Sequence, residues 1–126
     1  MRCRALLLAA VAAAHAAGAD GGDVIGYGSI EAALAALMAD PTAQFETQQG
    51  WTVVANREGP NPVQWFFTPA GHPAHPAVVK RTALEHNDTG LIELGALCYG
   101  PEHECFTLID GFRQQPQDAA QAALPQ

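Results

Sequence analysis

The segment of residues 65–81 constrains the fold of this chain more than any other part of the sequence. It begins with Trp-Phe-Phe and ends with Ala-Val-Val-Lys-Arg, two runs rich in the aromatic and β-branched residues that strands favour. Between them, four residues that break regular strands restrict the path of the backbone: Pro69, Gly71, Pro73 and Pro76. The segment therefore predicts two neighbouring strands joined by a stiff loop, the His loop, which carries His72 and His75.

The flanking sequence predicts one helix before and one helix after the strands of an antiparallel sheet. Ser29 is suited to cap a helix over residues 29–39, where Ile30, Leu34, Leu37 and Met38 form one apolar stripe. Gly100 and Pro101 open a second helix. The strands are predicted at residues 45–57, with Gly50 as a turn or bulge, and at 63–68, 77–85 and 91–98. The predicted class is α+β, with about four strands in a meander and both helices on one face of the sheet.

The termini predict an exported protein with one domain. Residues 1–19 carry Arg2 and Arg4, an apolar run over 5–14 and a small-residue site at 17–19, the layout of a cleaved signal peptide. A membrane anchor is the alternative, although the apolar run is short for a span. Residues 20–28 are predicted to be a flexible leader, 29–113 the domain and 114–126 a disordered tail.

The charge balance argues against two classes of partner. The formal net charge is −7, and removal of Arg2 and Arg4, with no acid lost, makes it −9. The fixed bases that remain are Arg57, Lys80, Arg81 and Arg113. Because nucleic acids and anionic membranes attract basic surfaces, neither is an expected partner.

Two cysteines follow the signal segment, Cys98 and Cys105. An even pair in an exported chain predicts a disulfide, and the short loop between them gives a stabilisation of roughly 2–3 kcal/mol. A redox-active pair and half of a metal site are the alternatives. Neither has the C-x-x-C spacing typical of such sites.

His72 and His75 are a candidate zinc or copper site, because imidazole is a common ligand of both metals. A complete site needs three or four ligands, and the sequence supplies no obvious third one. The alternative is that both histidines are half-exposed packing residues of a rigid loop.

Lys80 and Arg81 are neighbours on a predicted strand and therefore point to opposite faces of the sheet. One of them is expected to pair with Glu93 across the strands. The alternative is an anion contact by Arg81, whose planar fork suits a carboxylate. A nucleophile with its base is not evident, since Ser29 is assigned to a helix cap and the cysteines to a disulfide.

Three stretches of the chain carry a resemblance to known sequences: Trp51-Thr52-Val53-Val54, the Gly-His-Pro-Ala-His-Pro…Val-Lys-Arg run within residues 65–81, and the segment from Ile92 to Cys98. They resemble a group of small, uncharacterised exported proteins of proteobacteria. The resemblance covers residues 26–112. It implies export and one compact domain with two cysteines, and it implies no reaction, ligand or partner.

Together these features predict an exported, disulfide-bonded binding or interaction module rather than an enzyme. The candidate contact residues are Trp65, Phe66, His72, His75 and Arg81, because exposed aromatic side chains beside a stiff loop lose little entropy on binding. The partner is expected to be a protein or a small ligand, with no cofactor. A metal-binding protein using His72 and His75 is the alternative.

Overall fold

The computed structural model of the chain describes residues 25–84 and 91–115. The predicted signal peptide, most of the predicted leader, the turn between the last two strands and the tail beyond Gln115 lie outside the described residues. Within the described residues, no helix is long and apolar enough to cross a membrane.

Five antiparallel strands form one sheet in chain order, with a helix before the first strand and another after the last. The elements are α1 (Ile30–Ala39), β1 (Gln44–Gln48), β2 (Trp51–Glu58), β3 (Asn61–Phe67), β4 (Ala77–Leu84), β5 (Leu91–Cys98) and α2 (Glu102–Arg113). The predicted α+β meander is confirmed, but the strand count is five, not four.

The extra strand comes from a tight turn inside the run predicted as one strand. Gln49 and Gly50 both have positive φ, 52° and 86°, and they connect β1 to β2 as a hairpin. Two consecutive residues of this kind match the right-handed twist of paired strands. Gly50 is therefore a turn that divides residues 44–58 into two strands.

The two helices cover opposite faces of the sheet, so the prediction that both lie on one face is wrong. On one face, Ala33 and Leu37 of α1 pack in a cluster with Val54, Trp65 and other residues. On the other face, α2 contributes Leu108 and Phe112 to a second cluster that contains Trp51, Val53, Phe66, Val79 and Ala96. We call these the α1 face and the α2 face. A sheet buried on both sides explains why β3 and β4 carry consecutive apolar residues.

Contacts of the folded core extend beyond the range 29–113 at both ends. Ile25, which falls in the predicted leader, is 1% exposed and belongs to the core of the α1 face. At the other end, the side chain of Gln115 accepts a hydrogen bond from Arg81. Met38 was predicted to belong to the apolar stripe of α1, but it is 72% exposed, and Ala33 is buried instead.

Candidate functional site

The aromatic residues predicted to form a contact surface are part of the core. Trp65 is 1% exposed and Phe66 is 2% exposed. Trp65 lies on the α1 face, where its indole N–H donates to Asn56 Oδ1 at 2.9 Å. Phe66 lies on the α2 face, with its ring centroid 5.0 Å from that of Phe112. Because a helix covers each face, neither ring is available for contact with a partner.

Lys80 and Arg81 point to opposite faces, as predicted, and both are buried. Lys80 lies on the α1 face, 2.6 Å from Glu58 Oε1 and 5.1 Å from the centre of the Trp65 ring. The ion pair that the structure shows for Lys80 is with Glu58, whereas the predicted partner was Glu93. Arg81 lies on the α2 face, where its Nη1 donates to Gln115 Oε1 at 3.0 Å.

The His loop is held by its own hydrogen bonds and by the segment that follows β5. The loop contains two successive turns, each closed by a main-chain hydrogen bond of 3.0 Å. In the first, His72 N–H donates to the carbonyl of Pro69, and in the second, His75 N–H donates to the carbonyl of His72. Tyr99 N–H donates to the carbonyl of Pro76 at 2.9 Å. The peptide bond between His75 and Pro76 is cis. The hydrogen bonds named above hold the loop at both of its ends and along its length.

The two histidines use their ring nitrogens differently. Ala74 N–H donates to His72 Nδ1 at 3.0 Å, so the proton of the neutral His72 ring is on Nε2. His75 Nδ1 lies 2.8 Å from Thr68 Oγ1 and 3.2 Å from the Thr68 carbonyl, which only accepts, so here the proton is on Nδ1. The half-buried His72 ring also packs edge-on against Trp51, with centroids 5.1 Å apart.

These roles leave the two rings poorly matched as a pair of metal ligands. A metal at His72 Nε2 needs that nitrogen deprotonated, which would move the proton to Nδ1 and remove the bond from Ala74. Among the residues that the structure describes, no three histidine, cysteine or acidic side chains form a cluster able to hold a metal ion. The geometry therefore favours the packing interpretation of His72 over the metal interpretation.

A disulfide links Cys98, the last residue of β5, to Cys105 in the first half of α2, with Cα atoms 5.8 Å apart. The predicted pairing is confirmed. Its position fixes the start of α2 against the end of the sheet, so that the helix extends from there across the α2 face. A disulfide of this kind fits an oxidising compartment.

The helix α2 leaves part of its face of the sheet uncovered, and a groove of about 550 Å³ lies there. We call it the arginine groove. Its lining on the α2 face is contributed by all five strands: Gln44, Ala55, Arg57, Pro62, Gln64, Arg81, Ala83 and Ile92. Four of these eight side chains are apolar, and the other four are two arginines and two glutamines. The volume lies within the range of pockets that hold small organic molecules.

Two arginines supply the charge of this groove. Arg81 is only 4% exposed, and burial lowers the pKa of its guanidinium from the ordinary arginine value. Arg57 is exposed, and its Nη1 donates to the carbonyl of Pro60 at 2.9 Å. A smaller cavity of about 310 Å³ adjoins the groove, sharing Arg81 and Ile92 with it, and Arg113 also lines it. The described lining of both cavities contains no aspartate or glutamate.

Of the predicted contact residues, the structure places only Arg81 in this groove. His72 and His75 lie in the loop before β4, and Trp65 and Phe66 lie in the core. Arg57, Gln64, Ala83 and Ile92 were not predicted as site residues. The sequence signal for this site is the alternation of β4, which directs Arg81 and Ala83 to one face. The groove becomes evident only when β2, β3, β4 and β5 are assembled side by side in the sheet.

No protein-family model matches this chain, and comparisons with curated proteins and with solved structures found no match.

Proposed function

We propose that this protein is a small exported binding module that holds a small ligand with an apolar portion in the arginine groove. The observation that carries the proposal is the groove itself: about 550 Å³ of open space on a sheet face that α2 only partly covers. Ligand sites are typically concave, mainly apolar and supplied with a few polar groups that orient the ligand. The arginine groove has this composition.

The scaffold supports a preformed site. The groove lies on a continuous antiparallel sheet, whose strands are fixed by main-chain hydrogen bonds rather than by mobile loops. The disulfide fixes α2, which borders the uncovered part of the face. A site of this kind requires little ordering when a ligand binds, which favours affinity.

Binding is proposed in preference to catalysis because of the groups that the groove presents. Its polar lining includes two guanidinium groups and the side-chain amides of Gln44 and Gln64. Such groups hold and orient a ligand. The sulfur atoms of Cys98 and Cys105, which are the nucleophiles of highest intrinsic reactivity, are joined in the disulfide.

Export is part of the proposal, and it is supported by the disulfide and by the signal-like sequence of residues 1–19. The intact mass of protein recovered from the periplasm of a bacterial host tests it. We expect a chain that begins at Asp20 and lacks two hydrogens relative to the reduced form. An uncleaved chain with free thiols would contradict export.

A bulky substitution tests the groove. Ala55 is exposed, lies on β2 in the groove lining, and pairs with Gln64 across the sheet. The probe is N-phenyl-1-naphthylamine, an uncharged molecule whose fluorescence rises when it leaves water. We expect saturable binding by the wild type and its loss in Ala55→Trp.

The matched control is Ala35→Trp, which adds the same side chain at an exposed position of α1, beyond the other face of the sheet. It should bind the probe like the wild type. Equal binding by wild type and both variants would place the probe elsewhere and overturn the proposed site, as would the absence of any binding by the wild type.

A further inference from the structure

Positive charge is concentrated at the arginine groove, although the chain as a whole is acidic. Only four fixed bases follow the predicted signal segment. Lys80 lies on the α1 face beside Glu58. The other three, Arg57, Arg81 and Arg113, line the groove or the cavity that adjoins it. The described lining of these cavities includes no acidic side chain, so the fixed charges of that lining are positive although the net charge of the chain is negative.

The pairing of the strands sets the spacing of the two groove arginines. Gln64 on β3 lies opposite both Ala55 on β2 and Arg81 on β4, while Arg57 is two residues further along β2. Two strand spacings and two residue rises separate the Cα atoms of Arg57 and Arg81 by about 12 Å. Arginine side chains are long enough for both guanidinium groups to reach the same ligand group, which would lie above the amide of Gln64.

Each of the two guanidinium groups donates to one neutral acceptor among the described residues. Arg81 donates to the amide oxygen of Gln115, and Arg57 donates to the carbonyl of Pro60. Each bond uses one of the five N–H donors of a guanidinium and limits the positions that the group can adopt. Arg81 is also largely withdrawn from water, and an ionic hydrogen bond is stronger in such surroundings.

Another part of the groove is apolar. Ala83 and Ile92 lie opposite each other on β4 and β5, and Pro62 lies opposite Arg57. A ligand that satisfies both parts of the site therefore has a planar oxyanion at one end and a hydrocarbon body.

We propose that the arginine groove selects an amphipathic monocarboxylate, with its carboxylate held between Arg57 and Arg81 and its hydrocarbon part against Ala83 and Ile92. This inference rests on the proposed function, since it names the ligand class of the same groove. A carboxylate matches the planar fork of arginine. Its charged hydrogen bonds to two guanidinium groups are stronger than the neutral hydrogen bonds that an uncharged head group of similar size would form there.

Displacement of the uncharged naphthylamine probe compares two ligands of equal chain length. Decanoate carries the carboxylate, and 1-decanol carries a neutral hydroxyl on the same hydrocarbon. We expect decanoate to displace the probe from the wild type at a concentration at least about tenfold lower than decanol, as one charged hydrogen bond predicts. In Arg57→Gln and in Arg81→Gln this preference should fall by about tenfold or more, while displacement by decanol stays unchanged.

Arg113→Gln is the charge-matched control, because it removes the same charge from an exposed residue of the adjoining cavity. It should keep the preference of the wild type. Because Arg57 is exposed, its replacement leaves the core intact, and displacement by decanol reports on the groove in each variant.

Two results would overturn the inference and leave the proposed function standing: equal displacement by decanoate and decanol, or a preference that Arg57→Gln and Arg81→Gln do not change. An equal loss in Arg113→Gln would also overturn it, because long-range attraction would then replace direct contact. Failure of the probe to bind the wild type would overturn the proposed function itself.

Discussion

Gly100 is a position where the structure leaves no room for a side chain. It lies between β5 and α2, and a Cβ added there would be 2.5 Å from the carbonyl oxygen of Ala74 and 2.6 Å from the carbonyl carbon. Real Cβ atoms essentially never approach other atoms so closely. Gly100→Ala therefore forces the His loop and the chain after β5 apart.

Neither side of this contact moves easily. Ala74 is buried, and its N–H donates to His72 Nδ1. On the other side, Tyr99 N–H donates to Pro76, and Cys98 is fixed by the disulfide. Insertion of a methyl group into a well-packed region costs about 1–3 kcal/mol. Because the obstructing atoms belong to the backbone, we expect a loss near the upper end, about 3 kcal/mol of the free energy of unfolding.

Urea denaturation of the oxidised protein, followed by the fluorescence of Trp51 and Trp65, measures this loss. Both tryptophans are buried, so unfolding exposes them to water. The control is Gly71→Ala in the same loop, where an added Cβ meets nothing within 4 Å. Its effect should stay within about 0.5 kcal/mol. If Gly100→Ala unfolded at the same urea concentration as Gly71→Ala, the close approach to Ala74 would not constrain the fold, and the reasoning would fail.

Three further predictions concern single features of the fold. Replacement of both Cys98 and Cys105 by serine should lower the free energy of unfolding by about 2–3 kcal/mol, because the unfolded chain gains loop entropy; an unchanged urea midpoint would contradict this. Thr82 Oγ1 is buried without a hydrogen-bond partner among the described residues, so Thr82→Val should raise the urea midpoint, by about 1 kcal/mol of stability; a lower midpoint would indicate that the hydroxyl is in fact bonded. The pKa of Asp40 is held below its ordinary value, first by the Thr42 hydroxyl, which donates to Oδ1 at 2.7 Å, and also by the Thr42 N–H. A depressed carboxyl pKa stabilises the fold above the ordinary aspartate value, and this contribution is lost as pH falls through the lowered pKa. In an NMR titration, Thr42→Val should therefore move the Asp40 midpoint upward, and an unmoved midpoint would refute the assignment.

Local sequence patterns predicted most of the elements. The second helix and the last strand follow from apolar periodicity, and the cap of α1 is confirmed, since Ser29 Oγ accepts from Ala32 N–H at 3.0 Å. The disulfide also followed from the sequence, because it joins two segments close in the chain. Such features depend on neighbouring residues and need no knowledge of the tertiary fold.

The placement of the helices required information that is spread over the sheet. A helix at either end of a meander can pack on either face, and nothing in the sequence of α1 or α2 chooses between them. The consecutive apolar residues of β3 and β4 were the available signal, because a strand buried on both faces loses its alternation. The burial of Trp65 and Phe66 on opposite faces follows from the same arrangement.

Local sequence patterns could not predict the arginine groove, for a similar reason. Arg57 and Arg81 are separated by β3 in the chain, and only the pairing of Arg57 with Pro62 and of Gln64 with Arg81 brings them to one face. The sequence indicated an anion contact for Arg81 from its chemistry alone. It gave no indication of the second arginine or of the uncovered surface between them.

The order of Lys80 and Arg81 has a consequence for how β4 joins the sheet during folding. The strand begins with Ala77, Val78 and Val79, which suit either face, so hydrophobicity alone does not distinguish correct pairing from a shift by one residue. A shift that placed Lys80 opposite Gln64 would direct Lys80 to the α2 face and bring Arg81 to the α1 face, opposite Val63. Lys80 would then lose Glu58, and Arg81 would lose Gln115. Two adjacent bases with different partners on opposite faces therefore favour the native register of β4 over a shift by one residue.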